Sequence, residues 1–199
     1  MTNQLTKILI VDDQPNNLHF LSNILLKQGY KVQRAISGQL ALNAANAAPP
    51  NLVLLDILMP EMNGYEVCQK LKANERTREI PVIFLSALHE ATDKVKAFKV
   101  GGVDFISKPF QAEEVLVRIE NQLTIQKLQR QLQEHNRALQ QSEARLQKLT
   151  ANLPGMLFEF IRDSNGFSQF VYVSSGCREI YELEPDQLLE NAAIGFDII

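Results

Sequence analysis

The sequence predicts an α/β protein built on a doubly wound parallel sheet of five strands, and three observations carry that prediction. The first is a set of short, near-continuous apolar runs at residues 7–11, 31–35, 51–55, 81–85 and 103–106. Strands buried on both faces read in this way. The second is the helical spacing of the apolar residues between them: Leu18, Phe20, Leu21, Ile24 and Leu25, then Leu40, Leu42 and Ala45, then Tyr65, Val67, Cys68 and Leu71. Val95, Phe98 and Val100 complete the series, and Gly101-Gly102 ends that helix. The third is the strict alternation of the two patterns, since parallel neighbours need a helical crossover between them.

In such folds ligands sit at the carboxyl ends of the strands. Here those ends carry Asp12-Asp13, Asp56, Ser86-Ala87 and, after the last strand, Ser107-Lys108-Pro109. The fold brings them to one rim although they lie far apart in the chain. Three carboxylates ~4 Å apart at an effective dielectric of ~20 repel by roughly 4 kcal/mol per pair. A cation or raised pKa values must relieve that repulsion. An all-oxygen site with room for water and phosphate oxygens favours Mg²⁺, with Mn²⁺ as a substitute. Asp56 is a candidate nucleophile toward a phosphoryl group, giving an acyl phosphate. Ser86 can donate to a phosphoryl oxygen, and Lys108 can pair first with carboxylate and then with phosphate. Pro60, Asn63 and Gly64 make a turn that keeps the end of the third strand open.

At these residues the chain resembles the receiver domain of two-component response regulators. Val11-Asp12-Asp13, Leu55-Asp56-Ile57-Leu58-Met59-Pro60, Asn63-Gly64, Phe84-Leu85-Ser86-Ala87 and Lys108-Pro109-Phe110 match the family's order and spacing. The resemblance spans residues 5–123 and implies a CheY-like, flavodoxin-like sheet of order 2-1-3-4-5. It implies that Asp56 takes a phosphoryl group from the phosphohistidine of a sensor histidine kinase or a histidine phosphotransfer protein. It also implies Mg²⁺ held by Asp13, Asp56 and the Leu58 backbone carbonyl, with Asp12 acting through water. Ser86 and Lys108 would contact phosphate, and Ser86 with Phe105 would form the switch pair. The Lys108–Pro109 bond is usually cis in the family. Ser86 stands where threonine is commoner, and Phe105 where tyrosine is. Leu58 and Leu88 offer no polar group to orient an attacking water, so slow self-dephosphorylation is expected.

Residues 111–151 contain no helix breaker, and from Ile125 a second apolar stripe takes over from Val115, Leu116, Ile119 and Leu123. It runs Ile125, Leu128, Leu132, His135, Leu139, Ser142, Leu146, Leu149 and Leu153, a heptad seam that predicts a coiled-coil homodimer over residues 124–151. His135 reads as a seam residue and not as a phosphorylated histidine, because it faces inward and no proline comes after it. Residues 152–199 resemble the beginning of a PAS sensory domain. The resemblance rests on Leu153-Pro154-Gly155, an expected hairpin turning at Asp163-Ser164-Asn165-Gly166, Tyr172-Val173-Ser174 with Gly176-Cys177, and Leu183-Glu184-Pro185-Asp186-Gln187-Leu188. Phe158, Phe160, Phe170 and Tyr172 are expected on the covered face of that hairpin. The stretch is shorter than a whole PAS domain, which makes the 199 residues read as part of a longer signalling protein.

Composition narrows the remaining classes. A net charge of −3 argues against direct nucleic-acid binding, and no apolar run is long enough for a membrane span. Residues 154–199 are distinctly acidic, with 2 Lys+Arg against 8 Asp+Glu. They contain no histidine to ligate haem, and Cys177 reads as a core residue, so no haem or flavin is expected. Two cysteines, Cys68 and Cys177, with no export signal in view, suggest a reduced, cytoplasmic protein. The chain is expected not to be an enzyme beyond catalysing its own phosphorylation and dephosphorylation, with any kinase or other output enzyme lying elsewhere. Two alternatives stay open: a dimerising scaffold with an inactive pseudo-receiver, and a Mg²⁺-dependent aspartyl phosphatase. The phosphatase would need an acid two residues past its nucleophile, where Asp12 and Asp13 are followed by Gln14 and Pro15.

Overall fold

The computed structural model describes residues 6–86, 91–151, 155–162 and 168–191. The expectations for Ala87, Leu88 and Leu153, and for the turn at 163–166, lie outside the described residues. The chain divides into two compact units, Met1–Gln129 and Arg130–Ile199.

The first unit alternates β1 (Lys7–Val11), α1 (Pro15–Lys27), β2 (Lys31–Ala35), α2 (Gly38–Ala47), β3 (Leu52–Asp56), α3 (Gly64–Ala73), β4 (Val82–Ser86), α4 (Ala91–Lys99) and β5 (Asp104–Ser107). Its strands form one sheet in the order β2-β1-β3-β4-β5, with every pairing parallel. The apolar runs are continuous because the two faces take alternate residues. Leu9, Val11, Val53, Leu55, Val82 and Phe84 pack against α2, α3 and Ala97 of α4. Ile8, Ile10, Leu52, Leu54, Ile83, Leu85 and Ile106 pack against Leu18, Leu21 and Leu25 of α1 and against Val115 and Ile119. Full burial of side chains of this size stabilises the fold by roughly 1.5–3 kcal/mol each.

Two features differ from the expected pattern. Strands β3, β4 and β5 each lie one residue later than the apolar runs, because backbone pairing continues through Asp56↔Leu85 and Ser86↔Ser107 whatever the side chain. Phe20, Leu40, Val95 and Phe98, counted into the helical stripes, are largely exposed; smaller Ala97 of α4 and half-buried Val100 just after it pack against the core.

Helix α5 (Ala112–Ala151) is 40 residues long, roughly 60 Å at the usual rise. Val115 and Ile119 are fully buried in the first unit, with Leu116 and Leu123 packed beside them, as the first stripe predicts. The seam residues Ile125, Leu128, Leu132, Leu139, Leu146 and Leu149 are between 46% and 61% exposed in the single chain. His135 and Ser142 are exposed with them. No helix among the described residues is long and apolar enough to cross a membrane.

The second unit continues with β6 (Phe158–Arg162), β7 (Ser168–Val173), α6 (Cys177–Tyr181) and α7 (Pro185–Glu190). Strands β6 and β7 pair antiparallel, and Phe170, Val173, Cys177 and Leu188 make a small core. Here the expected alternation fails. Phe160 and Phe170 pack inward and Tyr172 is exposed, while Phe158 meets the Phe170 ring edge-on with centroids 5.6 Å apart but stays 51% exposed. The register shifts between Glu159 and Phe160, so that Glu159 faces Tyr172 while Phe160 faces Phe170. The extra residue, Val171, is a bulge in β7, and beyond it the inward set of that strand changes phase, turning Tyr172 out and Val173 in.

Candidate functional site

The rim formed by the carboxyl ends of β1, β3, β4 and β5 gathers the predicted site. Asp56 is the last residue of β3 and Ser86 the last of β4, and both are buried. Asp12 comes directly after β1 and is 0% exposed, which leaves it dependent on protein donors. The loop after Asp56 turns back through Glu61, whose φ of 64° is left-handed, to the Asn63 N-cap of α3. Asn63 and Glu66 close that helix start as a capping box. Gly64 is needed there: a Cβ would collide with the Asp56 carbonyl oxygen.

Lys108, just past β5, bridges two of the acids. Its ammonium lies 2.9 Å from Asp12 Oδ2 and 2.8 Å from Asp56 Oδ2. The bond from Lys108 to Pro109 is cis. Burial pushes the Asp56 carboxyl above the ordinary carboxylate range, while the Lys108 hydrogen bond and charge and the Leu58 backbone N–H pull it back. Burial by itself would lower Lys108, yet its hydrogen bonds to Asp56 and Asp12 hold it above the usual lysine value. The protonated amine is thus the one positive charge placed between Asp12 and Asp56 among the described residues.

Carboxylate oxygens of Asp12, Asp13 and Asp56 lie within 4.8 Å of one another. Asp13 Oδ1 is buried and has no hydrogen-bond partner among the described residues. A buried carboxylate oxygen without a protein donor among the described residues suits a cation, and the all-oxygen donor set suits a hard one. The site therefore fits Mg²⁺, which these three carboxylates could hold. Leu58, expected to offer its carbonyl, has a solvent-exposed side chain in the loop beside Asp56.

Phe105 of β5 is half-buried between two helices. The Phe98 ring of α4 meets it edge-on with centroids 6.4 Å apart, and the Arg118 guanidinium of α5 lies 5.6 Å from its ring centre. Arg118 is itself fixed, with Nη1 2.9 and 3.0 Å from the two Asp104 carboxylate oxygens and Nε 2.9 Å from Glu114. This connection between β5 and the long helix carries no signal in the sequence pattern. Neither does the contact of Asn17, whose side chain donates to both Asp12 oxygens.

The family profile described as response regulator receiver domain matches residues 8–120, more than half of the chain. The chain belongs to the response regulator receiver family. It is 33% identical over 201 residues to the DNA-binding dual master transcriptional regulator RpaA of Synechocystis, over 94% of this chain and 82% of that protein. Over 116 residues it is 44% identical to a probable cyclic di-GMP phosphodiesterase of Vibrio cholerae, over 58% of this chain but only 26% of that protein. Among solved structures, a putative response regulator from Chloroflexus aurantiacus superposes with a TM-score of 0.59 at 31% identity, over 61% of this chain and 99% of that one. The family's acidic Mg²⁺ site coincides with the three carboxylates gathered at the rim. A receiver takes its phosphoryl group from a histidine kinase partner. The two relatives differ in output, one being a DNA-binding regulator and the other a probable phosphodiesterase.

Proposed function

We propose that this chain is a phosphorylatable receiver that accepts a phosphoryl group on Asp56 and passes the change along α5. The observation that carries this reading is the Lys108 bridge between Asp12 and Asp56, beside an Asp13 oxygen that has no hydrogen-bond partner among the described residues. In the reaction an Asp56 carboxylate oxygen attacks the phosphorus of a phosphohistidine. The P–N bond breaks, its electron pair stays on the imidazole, and an acyl phosphate forms on Asp56. Lys108 exchanges the Asp56 oxygen for a phosphoryl oxygen, and the Ser86 hydroxyl donates to another. Asp13, Asp56 and the Leu58 carbonyl would hold Mg²⁺, with Asp12 behind them, and the ion supplies charge neutralisation for the phosphoryl oxygens. Movement of Ser86 toward phosphate draws Phe105 inward, away from Phe98 and Arg118.

The Arg118 contacts to Asp104 and Phe105 make α5 the natural recipient of that movement. The exposed Ile125–Leu149 stripe supports a homodimeric coiled coil as the transmitter. The hairpin and short helices after it support a PAS-like receiving region, in a cytoplasmic protein without haem or flavin. RpaA, whose match covers 94% of this chain, favours a second reading, a DNA-binding output. The 8 acids against 2 bases in residues 154–199 weigh against it.

Intact mass after incubation with acetyl phosphate and Mg²⁺ tests the receiver. One labile phosphoryl adduct is expected on the wild type, none on Asp56→Asn, and none with EDTA present. The adduct should decay over minutes or longer, as expected without a polar side chain at Leu58. No adduct under any condition would leave the scaffold reading.

A further inference from the structure

We infer that Asn17 is a positioning residue for the metal site, acting through Asp12. The inference rests on the receiver reading only in requiring that the site take Mg²⁺.

The first turn of α1 is unusual in how it uses its polar side chains. Gln14 occupies the N-cap position but makes no side-chain capping bond, and Pro15 fixes the start of the helix. Position N3 of a helix commonly carries a side chain that reaches back to the cap. Here N3 is Asn17, and its amide reaches past the cap to the buried acid. Asn17 Nδ2 lies 3.0 Å from Asp12 Oδ1 and 3.0 Å from Asp12 Oδ2, with a longer contact of 3.4 Å to Gln14 Oε1. The Gln14 backbone N–H adds a bond of 2.9 Å to Asp12 Oδ1, and Lys108 adds one of 2.9 Å to Oδ2.

Both Asp12 oxygens are thus engaged by protein donors, whereas Asp13 Oδ1 next to it has none among the described residues. The two neighbouring acids are differentiated by that pattern. Asp13 is left open to a cation, and Asp12 is held as a fixed negative charge whose plane Asn17 sets. Lys108 cannot set it alone, because its flexible ammonium also serves Asp56. An aspartate or glutamate at position 17 would instead add a further carboxylate to the rim. A neutral amide is the side chain that donates without adding charge. Hydrogen-bond partners of metal-site acids typically change metal affinity by about 10–100-fold when removed.

The test is isothermal titration of the full chain with Mg²⁺, in wild type, Asn17→Leu, Asp12→Asn and the double variant. Asn17→Leu is close in size and lacks the donor. It should weaken Mg²⁺ binding about tenfold, in a metal-free protein that still unfolds cooperatively but at a lower melting temperature, because a buried carboxylate loses a donor. In the Asp12→Asn background the same change should have little further effect, because the two residues act as one unit. Binding by Asn17→Leu within about twofold of wild type overturns the inference, since removed partners of this kind ordinarily cost more. An equal loss in both backgrounds overturns it too, because Asn17 would then not act through Asp12. Wild-type protein that takes up no Mg²⁺ would instead overturn the metal-dependent reading of the site, and the inference with it.

Discussion

Replacing Lys108 with methionine should destabilise the metal-free protein by about 3–5 kcal/mol at neutral pH, because it leaves two buried carboxylates without their shared cation. The Lys108 ammonium is 2.8 Å from Asp56 and 2.9 Å from Asp12, and both acids are almost fully buried. Burial already raises the Asp56 carboxyl, and Lys108 is the group whose hydrogen bond and charge hold it down. Without the amine its folded-state value rises further above that of the unfolded chain. The folded protein then binds a proton more readily than the unfolded one through that window. Stability consequently falls as pH rises from the ordinary carboxylate range to the raised value, and recovers on acidification. Urea midpoints at neutral and mildly acidic pH should therefore converge toward wild type on the acidic side. Added Mg²⁺ should recover part of the loss at neutral pH, since it binds the folded state. A Lys108→Met midpoint equal to wild type in metal-free neutral buffer would contradict this account of the bridge.

The second large effect concerns α5. Leu132→Lys combined with Leu139→Lys should convert a dimer into a monomer in sedimentation velocity, because both residues lie on the seam and are about 60% exposed in the single chain. Burying a leucine stabilises an interface by roughly 1.5–3 kcal/mol, and a charged ammonium on the seam removes that and adds a desolvation cost. The first unit should keep its fold and its phosphoryl adduct, since α5 is anchored there by Val115 and Ile119 and not by the seam. A wild-type chain that sediments as a monomer would remove the coiled coil from the mechanism.

The sheet and the rim were legible in the sequence because burial on both faces leaves little choice of residue. Ile8 to Val11 and Leu52 to Leu55 are wholly buried, and nothing polar is accommodated along them. Asp12, Asp56, Ser86 and Lys108 then stood out as polar residues at the ends of apolar runs, where a parallel sheet opens its ligand site. Asn17 did not stand out, because an Asn in the first turn of a helix has an ordinary local explanation and its contact with Asp12 needs the folded backbone. Arg118 was hidden for the same reason: its partner Asp104 is 14 residues away on another element. Tyr172 was misplaced by a single bulge at Val171, which period-two reasoning cannot detect. Phe20 and Phe98 show the opposite limit. Large apolar residues also occur on the outside, and only packing tells them apart.

Chemistry at Asp56 should change the packing of the seam beyond Leu123, and on that coupling the proposed signalling role depends. Cysteines placed singly at Leu128, Leu132, Leu139 and Leu146 allow disulfide cross-linking between two copies, because the native Cys68 and Cys177 are buried. Cross-linking yields measured with and without acetyl phosphate and Mg²⁺ should differ between the two states at one or more positions, and the Asp56→Asn background should abolish the difference. Identical yields in both states at every position, on protein shown by mass to be phosphorylated, would contradict the account.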